Sequence, residues 1–254
     1  WSSDVCSSDL FELQGITEDD LINFTPELHA QAIELASKYR MGPIFTPPSL
    51  AEAPDGTQGT FVMPGANGGA NIPGGAAVDP ETGIFYVASV KGHSVIRLVN
   101  DPEKSSMRYI SLGPGGIRGP QGLPLLKPPY GRIVAIDMNT GEHLWNIPNG
   151  DTPASVKEHP ALEGIEIPAT GKNSHAGLLV TKTLLFSDEG RGGDPWFRAY
   201  DKKTGEVIAE IELPAQTNHP PMTYMHNGKQ YIVMPVAAAG HPAELVALAL
   251  PDKE

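Results

Sequence analysis

Ala135-Ile-Asp137-Met-Asn-Thr140-Gly141-Glu-His-Leu-Trp145 and, 64 residues further on, Ala199-Tyr-Asp201-Lys-Lys-Thr204-Gly205-Glu-Val-Ile-Ala209 are one pattern written twice. Each shared position has a physical reason. A small Ala suits a tightly packed strand, and the Asp carboxylate can accept hydrogen bonds from backbone N–H groups in the turn that follows. Gly takes the positive φ that such a turn needs. The Trp of the first copy supplies a large apolar plate for a neighbouring sheet, and the second copy has Ala209 in its place. A single Asp-x-x-Thr-Gly is only a hairpin turn. Two in phase, each preceded by two strand-like runs, define four-stranded units.

Working outward, the repeat predicts one unit at 74–147, with a long insertion between its second and third strands. A second lies at 176–212, and a third at 222–249 reaches only three strands. Such units read as blades of a β-propeller, and a propeller ring is often closed by a strand from elsewhere in the chain. Composition agrees, because 28 Gly and 25 Pro among 254 residues far exceed the ordinary combined share of about 12%. They separate short apolar runs, including Ile84–Val90, Met107–Leu112, Arg132–Asp137, Phe197–Asp201 and Gln230–Val236. The segments 113–130 and 148–174 read as long loops rich in Pro and Gly. Ahead of all this, residues 11–42 form a helical segment. Thr25 is a good N-cap and Pro26 suits the first helical position. Leu28, Ala32, Leu35, Ala36 and Tyr39 then fall on one face, and Gly42-Pro43 ends the helix. The fold class expected is therefore all-β, a partial β-propeller spanning 43–254, with an N-terminal helical segment.

The first residue is Trp1 rather than Met, and Trp1-Ser-Ser-Asp-Val-Cys-Ser-Ser-Asp-Leu10 reads like a translated sequencing adapter. Residues 1–10 are set aside as non-native, with the expectation that the gene continues upstream. Cys6 is the only cysteine, so the rest of the chain has no thiol for a disulfide or a metal site. Without Asp4 and Asp9 there remain 28 acidic and 18 basic residues. An acidic chain with no basic block argues against nucleic acid as a partner. No apolar run reaches the roughly 18 residues of a membrane span.

The Ala-x-Asp-x-x-Thr-Gly-x-x-x-Trp repeat is similar to the tryptophan-docking motif of quinoprotein dehydrogenases. Further segments resemble that family in order along the chain: Gly42-Pro-Ile-Phe-Thr-Pro-Pro-Ser49, Gly68-Gly-Ala-Asn-Ile-Pro-Gly-Gly-Ala-Ala-Val-Asp-Pro-Glu-Thr-Gly83, Phe197-Arg-Ala-Tyr-Asp-Lys-Lys-Thr-Gly205, Pro221-Met-Thr-Tyr224, Gly228-Lys-Gln-Tyr231 and Leu245-Val-Ala-Leu-Ala-Leu-Pro251. The combination looks most like the glucose dehydrogenase branch. The resemblance implies a C-terminal fragment of an eight-bladed quinoprotein propeller that oxidises a sugar or alcohol hydroxyl. Hydride passes to pyrroloquinoline quinone, and a Ca²⁺ ion polarises the quinone carbonyl. It places the catalytic aspartate and most metal ligands upstream, so no catalytic or metal residue is assigned in this fragment, and the fragment alone is expected to be inactive. It further implies a small-molecule sugar or alcohol substrate, a ubiquinone or cytochrome electron acceptor, and a periplasmic location, with the inner membrane as a further option.

Four residues become cofactor-binding candidates through the resemblance. Asn71 matches a Gly-Gly-x-Asn-Trp segment, with Ile72 where the family has an aromatic; a plain turn residue is the alternative. Ser174 and His175 precede the first strand of a blade, where the family's loops approach the axis. His241, in Gly240-His241-Pro242, matches a Gly-His near the funnel, against the alternative of a solvated loop histidine. Asp188-Glu189 is expected to be a solvated turn before Gly190-Arg-Gly-Gly193, and Lys172 an ordinary surface lysine. A competing function is a non-enzymatic propeller scaffold like the outer-membrane assembly lipoproteins, which share the docking repeat. The Gly-Gly-x-Asn segment and the Pro221–Tyr224 and Gly228–Tyr231 pair favour the dehydrogenase.

Overall fold

The computed structural model describes residues 11–70 and 74–251, which divide into two compact units. Residues 11–69 form the first unit together with Lys91–Tyr130 and Pro153–Pro168. Its helix α1 (Pro26–Ala36) starts as the sequence dictates, with the Thr25 side chain accepting from the Leu28 N–H at 3.1 Å. Leu28, Ala32 and Ala36 are buried with Ile16, Leu21, Ile22, Phe61, Val95 and Leu125. The helical segment therefore does not stand alone, because its apolar face needs these partners to leave water. Beside them, Thr60–Val62 pairs antiparallel with Ser94–Val99. The run expected as a strand at 107–112 shrinks to Ile110–Ser111. Its Met107 and Leu112 side chains are exposed, so no buried face extends the pairing.

The second unit holds the repeat. Its first sheet is built from β1 (Ala76–Asp79), β2 (Ile84–Val90), β3 (Gly131–Asp137) and β4 (His143–Pro148), paired antiparallel in that order. The chain leaves this sheet between β2 and β3, where residues 91–130 are inserted. The second sheet runs β5 (Leu178–Val180), β6 (Leu184–Asp188), β7 (Trp196–Asp201) and β8 (Val207–Glu212), again antiparallel between neighbours. The third has three strands, β9 (Met222–His226), β10 (Lys229–Ala238) and β11 (His241–Ala249).

Both copies of the motif do what their residues suggest. Asp137 Oδ1 accepts from the Asn139 N–H at 2.8 Å, and Asp201 Oδ1 accepts from the Lys203 and Thr204 N–H groups at 2.7 and 3.2 Å. Gly141 and Gly205 have φ of 79° and 77°. The strand ladder shifts register at the same place in both sheets, after Ala135 and after Ala199. Trp145 lies against Gly205, where a Cβ would come within 3.0 Å of the indole. Its Nε1–H donates to the Lys202 carbonyl at 3.2 Å, so the motif of one sheet grips the motif turn of the next.

Candidate functional site

Strand direction fixes which loops share an end. In these up-and-down sheets both Asp-x-x-Thr-Gly turns lie at one end. The segments 169–177, 189–195, 213–221 and 239–240 lie at the other. The first strands of the first two sheets, β1 and β5, are packed side by side, whereas every residue of β8, at the opposite edge, is exposed. The sheets thus converge at β1 and β5, and a site at the loop end of that convergent edge draws on the residues just before β5.

Those residues are Ser174 and His175. Ser174 is buried, and its Oγ accepts from Asn149 Nδ2 at 3.3 Å. The backbone N–H of His175 donates to the Arg191 carbonyl at 3.0 Å, tying the approach to β5 to the 189–195 loop. His175 Nδ1 and Asn149 Oδ1 are buried without a hydrogen-bond partner among the described residues. Unmet capacity of this kind is costly in a finished core and is the feature of this end that suits a polar ligand. Close backbone contacts hold the region. A Cβ on Gly190 would lie 1.8 Å from the His175 carbonyl, and one on Gly74 would lie 1.8 Å from that of Ala176.

His241 opens β11 at the same end. A chain of contacts leads from the 189–195 loop toward it. The Gly192 N–H donates to Gln216 Oε1 at 3.3 Å, the Ala237 N–H donates to the Gln216 carbonyl at 3.0 Å, and Ala238 pairs with His241. The His241 ring contacts Glu244 Oε1 through Nε2 at 2.9 Å. Asn71 lies outside the described residues. The structure therefore puts Ser174 and His175 together and His241 at the same end on the next sheet.

Two expectations are corrected beneath this end. Asp188 and Glu189 are not a solvated turn, being only 2% and 1% exposed. Lys172 is not an ordinary surface lysine, with 12% of its side chain exposed. Glu189 Oε1 accepts from Arg198 Nη1 at 2.5 Å, and Arg198 Nε donates to Glu210 Oε1 at 2.6 Å. Lys172 pairs with Asp194 and stands 3.7 Å from Glu189 Oε2, which also accepts from the Asp194 N–H at 2.8 Å. Burial works against the charge on Arg198, but the two carboxylates outweigh it and raise its pKa. Asp188 behaves oppositely. Its Oδ1 accepts from the Gly177 N–H at 2.8 Å while Oδ2 has no partner among the described residues, and desolvation pushes its pKa up to about 7. The sequence signal for this cluster was Arg198 two residues past Trp196 on an apolar strand, where a cation needs a buried carboxylate. Among the described residues no group of three or more His, Asp or Glu side chains is arranged to hold a metal ion.

Twin docking motifs, successive antiparallel up-and-down sheets and a loop-lined convergent end define a β-propeller protein of the tryptophan-docking kind. A sequence model described as PQQ, glucose/ethanol/alcohol dehydrogenase, beta-propeller domain, matches residues 5–232, and the chain belongs to that family. It is 30% identical to quinoprotein glucose dehydrogenase A of Acinetobacter calcoaceticus, over 83% of this chain and 28% of that protein. It is 32% identical to quinoprotein glucose dehydrogenase of Escherichia coli, over 82% of this chain and 28% of that protein. A solved structure of quinohemoprotein alcohol dehydrogenase from Comamonas testosteroni aligns with a TM-score of 0.46 and 21% identity, covering 76% of this chain and 25% of that one. The chain spans less than a third of the length of these relatives.

Proposed function

We propose that the protein to which this chain belongs oxidises the hydroxyl of a sugar or alcohol and passes hydride to pyrroloquinoline quinone. The observation that carries this reading is the loop end of the convergent edge, where His175 Nδ1 and Asn149 Oδ1 are buried with hydrogen-bonding capacity to spare in a chain of the quinoprotein family. The cofactor supplies the two-electron sink, while the protein binds and orients. His175 offers a donor or an acceptor to the cofactor side, according to its tautomer. Ser174 acts through Asn149, whose amide its hydroxyl fixes. Asn71, on the strength of the family resemblance alone, and His241, with its ring oriented by Glu244, complete the set. Ca²⁺ is held by residues beyond this chain, as is the catalytic base. The electron acceptor is a ubiquinone or a cytochrome, and the location is the periplasm, at or near the inner membrane.

The test uses the full-length gene product. Loading with pyrroloquinoline quinone and Ca²⁺ should give dye-linked oxidation of a sugar or alcohol, and quinone binding should be visible by fluorescence quenching. A full-length, folded protein that binds no quinone in the presence of Ca²⁺ would overturn the reading in favour of a scaffold.

A further inference from the structure

The 189–195 loop is built on a buried base. Glu189 is held by Arg198 and by the Asp194 N–H, and Gly193 sits so close to Glu189 that a Cβ would come within 2.3 Å of its side chain. Gly190 is backed against the His175 carbonyl, and Gly192 is tied to Gln216. Between these anchors stands Arg191, whose own carbonyl accepts from the His175 N–H. Burying ions costs free energy that only good geometry offsets. The return here is a loop fixed on both sides of one residue.

Arg191 differs from the other cations of this region. Lys172 and Arg198 are bound to carboxylates. Arg191 is exposed, and no carboxylate among the described residues pairs with it. The chain carries a net charge of −12, so an arginine left without a counter-ion beside the candidate site is available for an anion from solution. A guanidinium presents a rigid fork that matches a carboxylate with two parallel hydrogen bonds, and a loop held on both flanks lowers the ordering cost of making them.

We propose that Arg191 is a specificity-determining residue that binds the carboxylate of an acidic substrate, a hydroxy acid rather than a neutral sugar or alcohol. This rests on the dehydrogenase reading above and narrows its substrate class. The quinone also carries carboxylates, so the experiment separates the two sources.

In the full-length protein loaded with quinone and Ca²⁺, kcat and KM are measured for D-gluconate and for D-glucose, with Arg191→Gln and Arg191→Lys beside the parent. The expected result is that Arg191→Gln lowers the kcat/KM ratio of gluconate to glucose by about tenfold, with the change in KM, and that Arg191→Lys recovers part of it. Raising the salt concentration should lower the same ratio in the parent and leave it nearly flat in Arg191→Gln. Calorimetric titration of gluconate into the parent and into Arg191→Gln reads carboxylate binding independently of turnover. The proposal is overturned if both substrates change equally, or if Arg191→Gln weakens quinone binding without changing the ratio. It is also overturned if gluconate binds the two proteins alike or not at all. A protein that binds gluconate through Arg191 but takes up no quinone would retain the anion site and sink the dehydrogenase reading instead.

Discussion

The seam between the first and second sheets and the seam between the second and third are built by the same repeat, yet only one is closed at the turn end. In the first, Trp145 covers Gly205, and the Trp145 Nε1–H and Tyr86 hydroxyl both donate to the Lys202 carbonyl, at 3.2 and 3.0 Å. The Lys202 ammonium reaches back to Asp79 Oδ2 at 2.6 Å, and both side chains are buried. Around them Ala77, Ala88, Ile133, Ala135, Leu178, Leu185 and Tyr200 form one core. In the second seam the apolar packing is confined to Phe197, Leu213, Ala215, Met234 and Val236 with their neighbours. At the turn end the position equivalent to Trp145 is Ala209. A cleft of about 660 Å³ opens there, lined by residues that include Leu184, Ile208, Ile211, Gly228, Ile232 and Leu250. The repeat turn alone therefore does not join sheets. The aromatic plate four residues after the glycine does.

The largest effect should come from Trp145→Ala. The substitution removes an indole packed over Gly205 and beside Tyr86 and takes away one of the two hydrogen bonds to the Lys202 carbonyl, leaving that from Tyr86. Large-to-small changes of this kind cost about 3–5 kcal/mol, and a value near 3 is expected because Trp145 is only partly buried. Urea unfolding of parent and variant measures it. A loss below about 1 kcal/mol would mean that the indole is not what closes the first seam. Trp145→Phe should lose less, since it keeps an aromatic ring and gives up the hydrogen bond.

The two seams should also respond to pH in opposite directions. Asp79 of the first seam is held down to about 2, chiefly by the Lys202 hydrogen bond and then by Thr82. Its folded-state pKa is depressed below the unfolded value near 3.9, so its contribution is present at neutral pH and is lost as pH falls from about 4 toward 2. Asp188 ends β6, and Thr217, in the loop leading to the third sheet, pairs with Val236. Desolvation lifts Asp188 to about 7. The folded state then holds the proton more tightly than the unfolded chain, so stability falls as pH rises from about 4 to 7 and levels off above that. Asp188→Asn should flatten the slope between pH 4 and 7. Asp79→Ala should remove the acid limb and weaken the fold at neutral pH, because Lys202 is left buried without its partner. Unfolding midpoints measured from pH 3 to 8 check both. A parent with no slope between pH 4 and 7 would sink the Asp188 account.

How far all this was readable from sequence follows the same contrast. Asp137, Gly141, Asp201 and Gly205 act within a few residues of themselves, so their turns, and the sheets flanking them, could be read from a short window. The same holds for Thr25 and Pro26 at the start of α1. The ion cluster could not be read that way. Glu189, Lys172, Arg198 and Glu210 are separated by up to 38 residues, and their burial depends on which sheet edges converge. Asp188-Glu189 next to Gly190-Arg-Gly-Gly has the composition of a solvated turn, and only the packing of β6 against β7 takes it out of water. Ser174 and His175 were legible as residues before a strand. That the Ser174 hydroxyl is engaged by Asn149 while His175 Nδ1 is not depends on tertiary contacts that no local pattern records.

The smallest effect, and the sharpest for the comparison, is Ala209→Trp. Ala209 stands opposite Ala199 in the ladder, as Trp145 stands opposite Ala135, so an indole there starts from the same backbone position and points along the same seam. Strand positions favour aromatic residues, and covering apolar surface yields about 25 cal/mol per Å². The gain is reduced because the cleft, at about 660 Å³, is wider than one indole. A rise in stability of about 1 kcal/mol is expected, read as a higher urea midpoint with an unchanged slope. A loss instead would mean that the walls of the second seam are spaced differently from those of the first. Combining Ala209→Trp with Trp145→Ala makes the test independent of absolute values. If each indole serves only its own seam the two changes should add to within about 0.5 kcal/mol, whereas a larger departure would show that the seams are coupled through the second sheet they share.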